Sequence, residues 1–168
     1  VAGHPVGAGV PAWLATAAPE PAHAAALQVL LDAGAVVAGI AQTDELAFSV
    51  MGRNGTWGAP PNPAAPGHLP GGSTSGPAAA VAAGAADLGL GTDTAGSLRV
   101  PGSWCGLHAL RPTHGAVPVA GVLPLAPSFD TVGLLARCPQ LLRAAGDELL
   151  PALLDRYWVP GERLVVAV

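Results

Sequence analysis

The 168 residues are 51% hydrophobic and only 11% charged, with a net charge of −4, which excludes a disordered or polyelectrolyte chain. All seven basic residues are arginine and lie scattered, so neither a nucleic-acid surface nor an anionic-lipid surface is expected. No run reaches the roughly 18–20 apolar residues of a membrane span. The two cysteines, Cys105 and Cys138, form no CxxC pair, so a reducing, cytoplasmic setting is expected. The five histidines show no ligand spacing, and no metal or other cofactor is expected.

Residues 1–20 are rich in Gly and Pro and read as loop. The Val1 end has no basic region followed by an apolar one, so it does not read as a signal peptide. The chain is expected to begin inside a larger protein. A helix is predicted from about Pro21 to Ala33, closed by Gly34. AVVAGI (35–40) has the length and composition of a buried strand. TDELAFSV (43–50) reads as a helix with Thr43 as N-cap and Asp44 and Glu45 in its first turn. Gly, Pro and Asn dominate 54–76, which cannot be regular structure.

Pro77 suits a helix start, and a helix of very small residues is predicted over 78–86. DLGLGTD (87–93) reads as a buried strand running into the loop TAGS (94–97). Strand signals follow near 116–123. A helix is predicted over 139–154, interrupted at Pro151, and a last strand over 163–168. Helices alternating with short buried strands argue a single α/β domain over 1–168.

Two Gly/Ser loops carry the candidate chemistry: PGGSTSG (70–76) and GTDTAGSLRVP (91–101). Each alone fits a plain turn. Neither is a P-loop, because no Gly-Lys-Ser/Thr follows, and neither is GxSxG. A serine in a glycine-rich turn nevertheless exposes consecutive backbone amides, which can hold an oxyanion. It also needs a base before it can act as a nucleophile. A Ser-His-Asp arrangement of Ser97 with His108 or His114 is the weaker reading. Asp93 and Arg99 read as an ion pair anchoring the loop, Asp130 as a loop cap, Cys105 as a buried thiol, and Trp57 and Trp104 as packing residues.

Taken with its flanks, PGGSTSGPAAAVAAGAADLGLGTDTAGSLRVPGSWCGLHALRPTHG resembles the signature block of the amidase signature family. GAVVAGIAQTDELAFS upstream and GVLPLAPSFDTVGLLAR downstream extend the resemblance from residue 1 to about 151. Within the family, the sequence resembles short amidases similar to indoleacetamide hydrolases. The resemblance implies an amidase signature fold, with a mixed sheet covered by helices and incomplete at both ends. It also implies hydrolysis of a small carboxamide to an acid plus ammonia or an amine. The family's Ser–cis-Ser–Lys triad maps its nucleophile onto Ser97 and its bridging serine, preceded by a cis peptide bond, onto Ser73. The oxyanion hole would come from the amides of Thr94, Ala95, Gly96 and Ser97, with Ser75 in support.

The sequence departs from that pattern in one decisive respect: it contains no lysine. The family's catalytic Lys-Asp motif would lie just upstream of Val1, so this chain alone is expected to lack the base. Arginine, which keeps its proton, is a poor substitute. A complementing N-terminal segment or a second copy of the chain is the implied partner. The alternatives are a non-catalytic truncated or split-gene module and an amidotransferase A-type subunit. Ile40 stands where the family commonly has Lys, and Pro77 where it often has Ser. Ala95 replaces a glycine, and is expected to restrict the loop if its φ must be positive.

Overall fold

Three strands organise the fold. A computed structural model, describing residues 1–150, sets β1 (Leu88–Asp93) and β2 (His108–Leu110) on either side of β3 (Thr131–Ala136). Both pairings are antiparallel, with Leu88 opposite Ala136, Asp93 opposite Thr131, and Leu110 opposite Leu134. A mixed sheet is expected from the resemblance; among the described residues the sheet is antiparallel throughout. This topology gathers the C-terminal ends of β1 and β2 around the N-terminal end of β3.

Every residue of β3 is buried, because helices cover both faces. Side chains alternate across a strand. Val132 and Leu134 therefore join Ala26 and Leu30 of α2 (Ala25–Asp32) and Ala145 and Leu149 of α5 (Pro139–Leu149) in one core. Leu135 points the other way, into a second core with Ala78 of α3 (Ser75–Ala82), Leu98, and Cys105 just past α4 (Arg99–Trp104). The remaining helix, α1, is a single turn over Pro11–Leu14 within the first loop.

The expected helix over 21–33 forms as α2, starting later, at Ala25. Gly34 closes it at φ +96, with the Gly34 amide on Leu31 O and the Ala35 amide on Leu30 O. The small-residue helix forms as α3 but begins two residues before Pro77. Pro77 then occupies the first turn, where a missing N–H costs nothing. The 139–154 helix forms from Pro139 to Leu149. Its expected continuation and the strand over 163–168 lie outside the described residues.

Three expected elements do not form. Residues 35–40 pair with no strand among the described residues, and Val36 (85%) and Ile40 (60%) are exposed. A strand needs at least one hydrogen-bonded neighbour, and among the described residues none reaches this run. The 43–50 helix is reduced to one 3-10 turn, Glu45–Ala47, with Leu46 and Ala47 at positive φ. Its polar residues are used in long-range contacts instead. Near 116–123, Gly121 (φ +77) sits in a turn closed by the Val122 amide on Val119 O, and the strand forms later, at TVGLLA. That strand shows no alternation in sequence because both of its faces are covered.

Candidate active site

The second serine loop leaves β1 at Asp93, whose side chain is completely buried. Asp93 Oδ1 accepts the Gly96 amide at 2.9 Å, and Oδ2 accepts the amides of Leu98 (3.1 Å) and Arg99 (3.3 Å). The Arg99 guanidinium closes on the same carboxylate as a fork, Nε to Oδ2 at 3.0 Å and Nη2 to Oδ1 at 2.8 Å. Burial alone would raise the Asp93 pKa. The Arg99 hydrogen bond and the two amides on Oδ2 outweigh it and hold the carboxyl below its usual range. The loop is thus wound around one ionised side chain.

This winding sorts the amides. The Gly96 amide is already committed to Asp93, while those of Thr94, Ala95 and Ser97 have no acceptor among the described residues. Gly96 takes φ +136, a region that L side chains rarely adopt. Ala95 is not at positive φ, so its replacement of glycine brings no left-handed strain.

A second clamp enters from the strand that follows. Asp130, immediately before β3, accepts the Thr94 hydroxyl at 2.5 Å and the amides of Leu125 and Ala126. Burial opposes ionisation here too, but the Thr94 hydroxyl, these amides and the charge of His114 outweigh it and lower the pKa. Asp130 is the loop anchor the sequence leads one to expect.

The first serine loop is assembled differently. The Gly72–Ser73 peptide bond is cis, as the resemblance implies. Ser73 O accepts the Thr43 hydroxyl (2.7 Å) and the Asp44 amide (3.3 Å). Asp44 is buried, and its carboxylate accepts the Gly52 amide (3.0 Å) and the Ser75 hydroxyl (3.3 Å). Thr43 is therefore a tertiary tie rather than a helix cap, and Ser75 supports the turn through Asp44.

The two loops meet backbone to backbone: the Thr74 amide donates to Ser97 O at 3.3 Å. Ser73 (1% exposed) and Ser97 (5% exposed) are both held in this junction. Neither hydroxyl is hydrogen-bonded to another group among the described residues. A shallow cleft lined by Thr43, Leu46, Thr74, Leu90 and Thr92 lies against the Ser73 turn.

Three structural residues escape the sequence reading. Asn54 bridges Gly9 O and Thr43 O, and Asn62 bridges Leu69 O and Trp104 O, so both pin loops from a distance. Arg111 lies 3.5 Å from Asp93. Only their surroundings in space reveal these roles. Cys105 is buried, its thiol on Pro70 O at 3.3 Å and its pKa raised by desolvation. Trp57 and Trp104 are each 42% exposed rather than packed inside. His108 and His114 make no hydrogen bond to Ser97, and His114 Nε2 lies 2.9 Å from Pro127 O. Among the described residues no three His, Cys, Asp or Glu side chains cluster to hold a metal, and no helix is long and apolar enough to cross a membrane.

A family model described as Amidase matches residues 1–150. Amidase 1 of Arabidopsis thaliana is 48% identical over 150 residues, 89% of this chain and 35% of that protein. An indoleacetamide hydrolase of Pseudomonas syringae pv. syringae is 49% identical over 114 residues, 68% of this chain and 26% of its own length. A crystal structure of an amidase superposes with a TM-score of 0.80 at 35% identity, covering 90% of this chain and 34% of that one. The chain thus spans about a quarter to a third of the proteins it matches.

Proposed function

The chain belongs to the amidase signature family, and we propose that it carries the nucleophile and anion-binding loop of an enzyme hydrolysing a small carboxamide. In this reading Ser97 is the nucleophile and Ser73 its proton relay. A base takes the Ser73 proton while Ser73 takes that of Ser97. The Ser97 oxygen bonds to the amide carbon, and the carbonyl electron pair moves onto oxygen. The uncommitted amides of Thr94, Ala95 and Ser97 hold that oxyanion; one such donor is worth about 3–4 kcal/mol in known cases. Collapse breaks the C–N bond, and the returning proton leaves with ammonia or the amine. Water then releases the acid from the acyl-enzyme.

The observation that carries this reading is the hydrogen bond joining the two serine loops, Thr74 N to Ser97 O, beside three amides with no acceptor among the described residues. The 168 residues hold no lysine, and in this reading the proton acceptor is supplied from outside them. The same absence supports a second reading, in which these residues alone are a non-catalytic module awaiting a base-bearing segment.

The test is ammonia release by the full-length protein from a panel of primary carboxamides that includes an arylacetamide. S97A is expected to lower kcat at least about a thousandfold. Retained turnover in S97A would overturn the assignment.

A further inference from the structure

Arg111 follows directly on β2 and stands where three chain segments converge: the end of β1, the end of β2 and the start of β3. Its Nε is buried and lies 3.5 Å from Asp93 Oδ1, yet it makes no hydrogen bond among the described residues. Arg99 already occupies that carboxylate in fork geometry. The other end of the Arg111 guanidinium donates from Nη2 to Phe129 O at 3.2 Å. Phe129 immediately precedes Asp130, the residue that grips Thr94.

A guanidinium cannot shed its proton, and a buried N–H without an acceptor is costly. Asp93 with its Arg99 fork would be a complete ion pair without a second arginine. What Arg111 adds is a link. It reaches from one clamp, the Asp93 carboxylate, to Phe129 O beside the other, Asp130, reinforcing the Thr131 hydroxyl that joins Asp93 O to the start of β3 at 2.7 Å. Between those clamps runs Thr94–Ser97, whose amides point wherever the clamps hold them.

We propose that Arg111 is a positioning residue that locks the Asp93 turn to the Asp130 loop and so fixes the direction of the Thr94, Ala95 and Ser97 amides. The inference rests on the reading of Ser97 as nucleophile. Arg111 itself touches no substrate. Its loss should act on the transition state, where small misplacements are expensive, more than on ground-state binding.

The experiment measures kcat, KM, fluorophosphonate labelling rate and thermal midpoint for full-length wild type, R111M and R111K. R111M is expected to lower kcat and the labelling rate about ten- to a hundredfold with KM within about threefold. R111K, which restores charge without the planar fork, should recover part of that loss. A fall in thermal midpoint with kcat unchanged in the folded protein would overturn the proposal. Should R111M fail to fold, R111K decides: a kcat lowered at unchanged KM supports the proposal, and wild-type kcat refutes it. Failure of wild type itself to label would instead refute the nucleophile assignment.

Discussion

The two serine turns are each wound around a buried aspartate, but they draw on different parts of the chain. Asp93 holds amides only three to six residues away, and its charge is matched by Arg99 and approached by Arg111. Asp44 lies 29 residues before Ser73, holds Gly52 and Ser75, and has no cation beside it among the described residues. The Ser73 turn is further tied to Val50 through the Gly72 amide and to Gln42 through the Gly76 amide. The Ser97 turn is therefore shaped mainly by an aspartate within a few residues, whereas the Ser73 turn borrows its shape from residues 42–52. An insult to Asp93 should be local and severe. An insult to Asp44 should be smaller and spread along the chain.

Replacing Asp93 by Ala is the harshest way to break this contrast. It strips acceptors from three amides and leaves Arg111 uncompensated, and should cost about 3–5 kcal/mol in a denaturant titration. D44A removes acceptors from one amide and one hydroxyl, and should cost about 2 kcal/mol in the same titration. Equal losses would contradict the distinction between the turns.

The smallest effect is the dependence on acid. Asp93 and Asp130 titrate below the usual carboxylate range in the folded chain, and near about 3.9 when unfolded. In that window the unfolded chain binds more protons, so stability rises with pH. The contribution is complete above about pH 5 and is lost as pH falls through 4 towards the lowered folded values. Thermal midpoints measured across that range should fall more gently in D93N than in wild type.

The same contrast explains what could be read from the sequence. The Asp93–Arg99 pair and the Gly34 closure depend on neighbours within a few residues, and β1 shows as a short apolar run before a glycine-rich turn, so local pattern discloses them. Asp44 looks like a first-turn helix residue because its partners, Gly52 and Ser75, are invisible at short range. Arg111 and Asn62 are hidden for the same reason. The 35–40 run was legible as apolar, yet Val36 and Ile40 lie exposed, since composition says what should be buried and not what will cover it. The β3 run lacked alternation because α2 and α5 cover one face and α3 and α4 the other.

In the function proposed above, Ser97 is a nucleophile whose base comes from beyond these 168 residues. Its most direct test is peptide mapping after fluorophosphonate treatment of the full-length protein and of the 168-residue chain side by side. A stable adduct is expected on Ser97 in the full-length protein and none on the short chain. An adduct on any other residue, or Ser97 labelled equally in both, would contradict it.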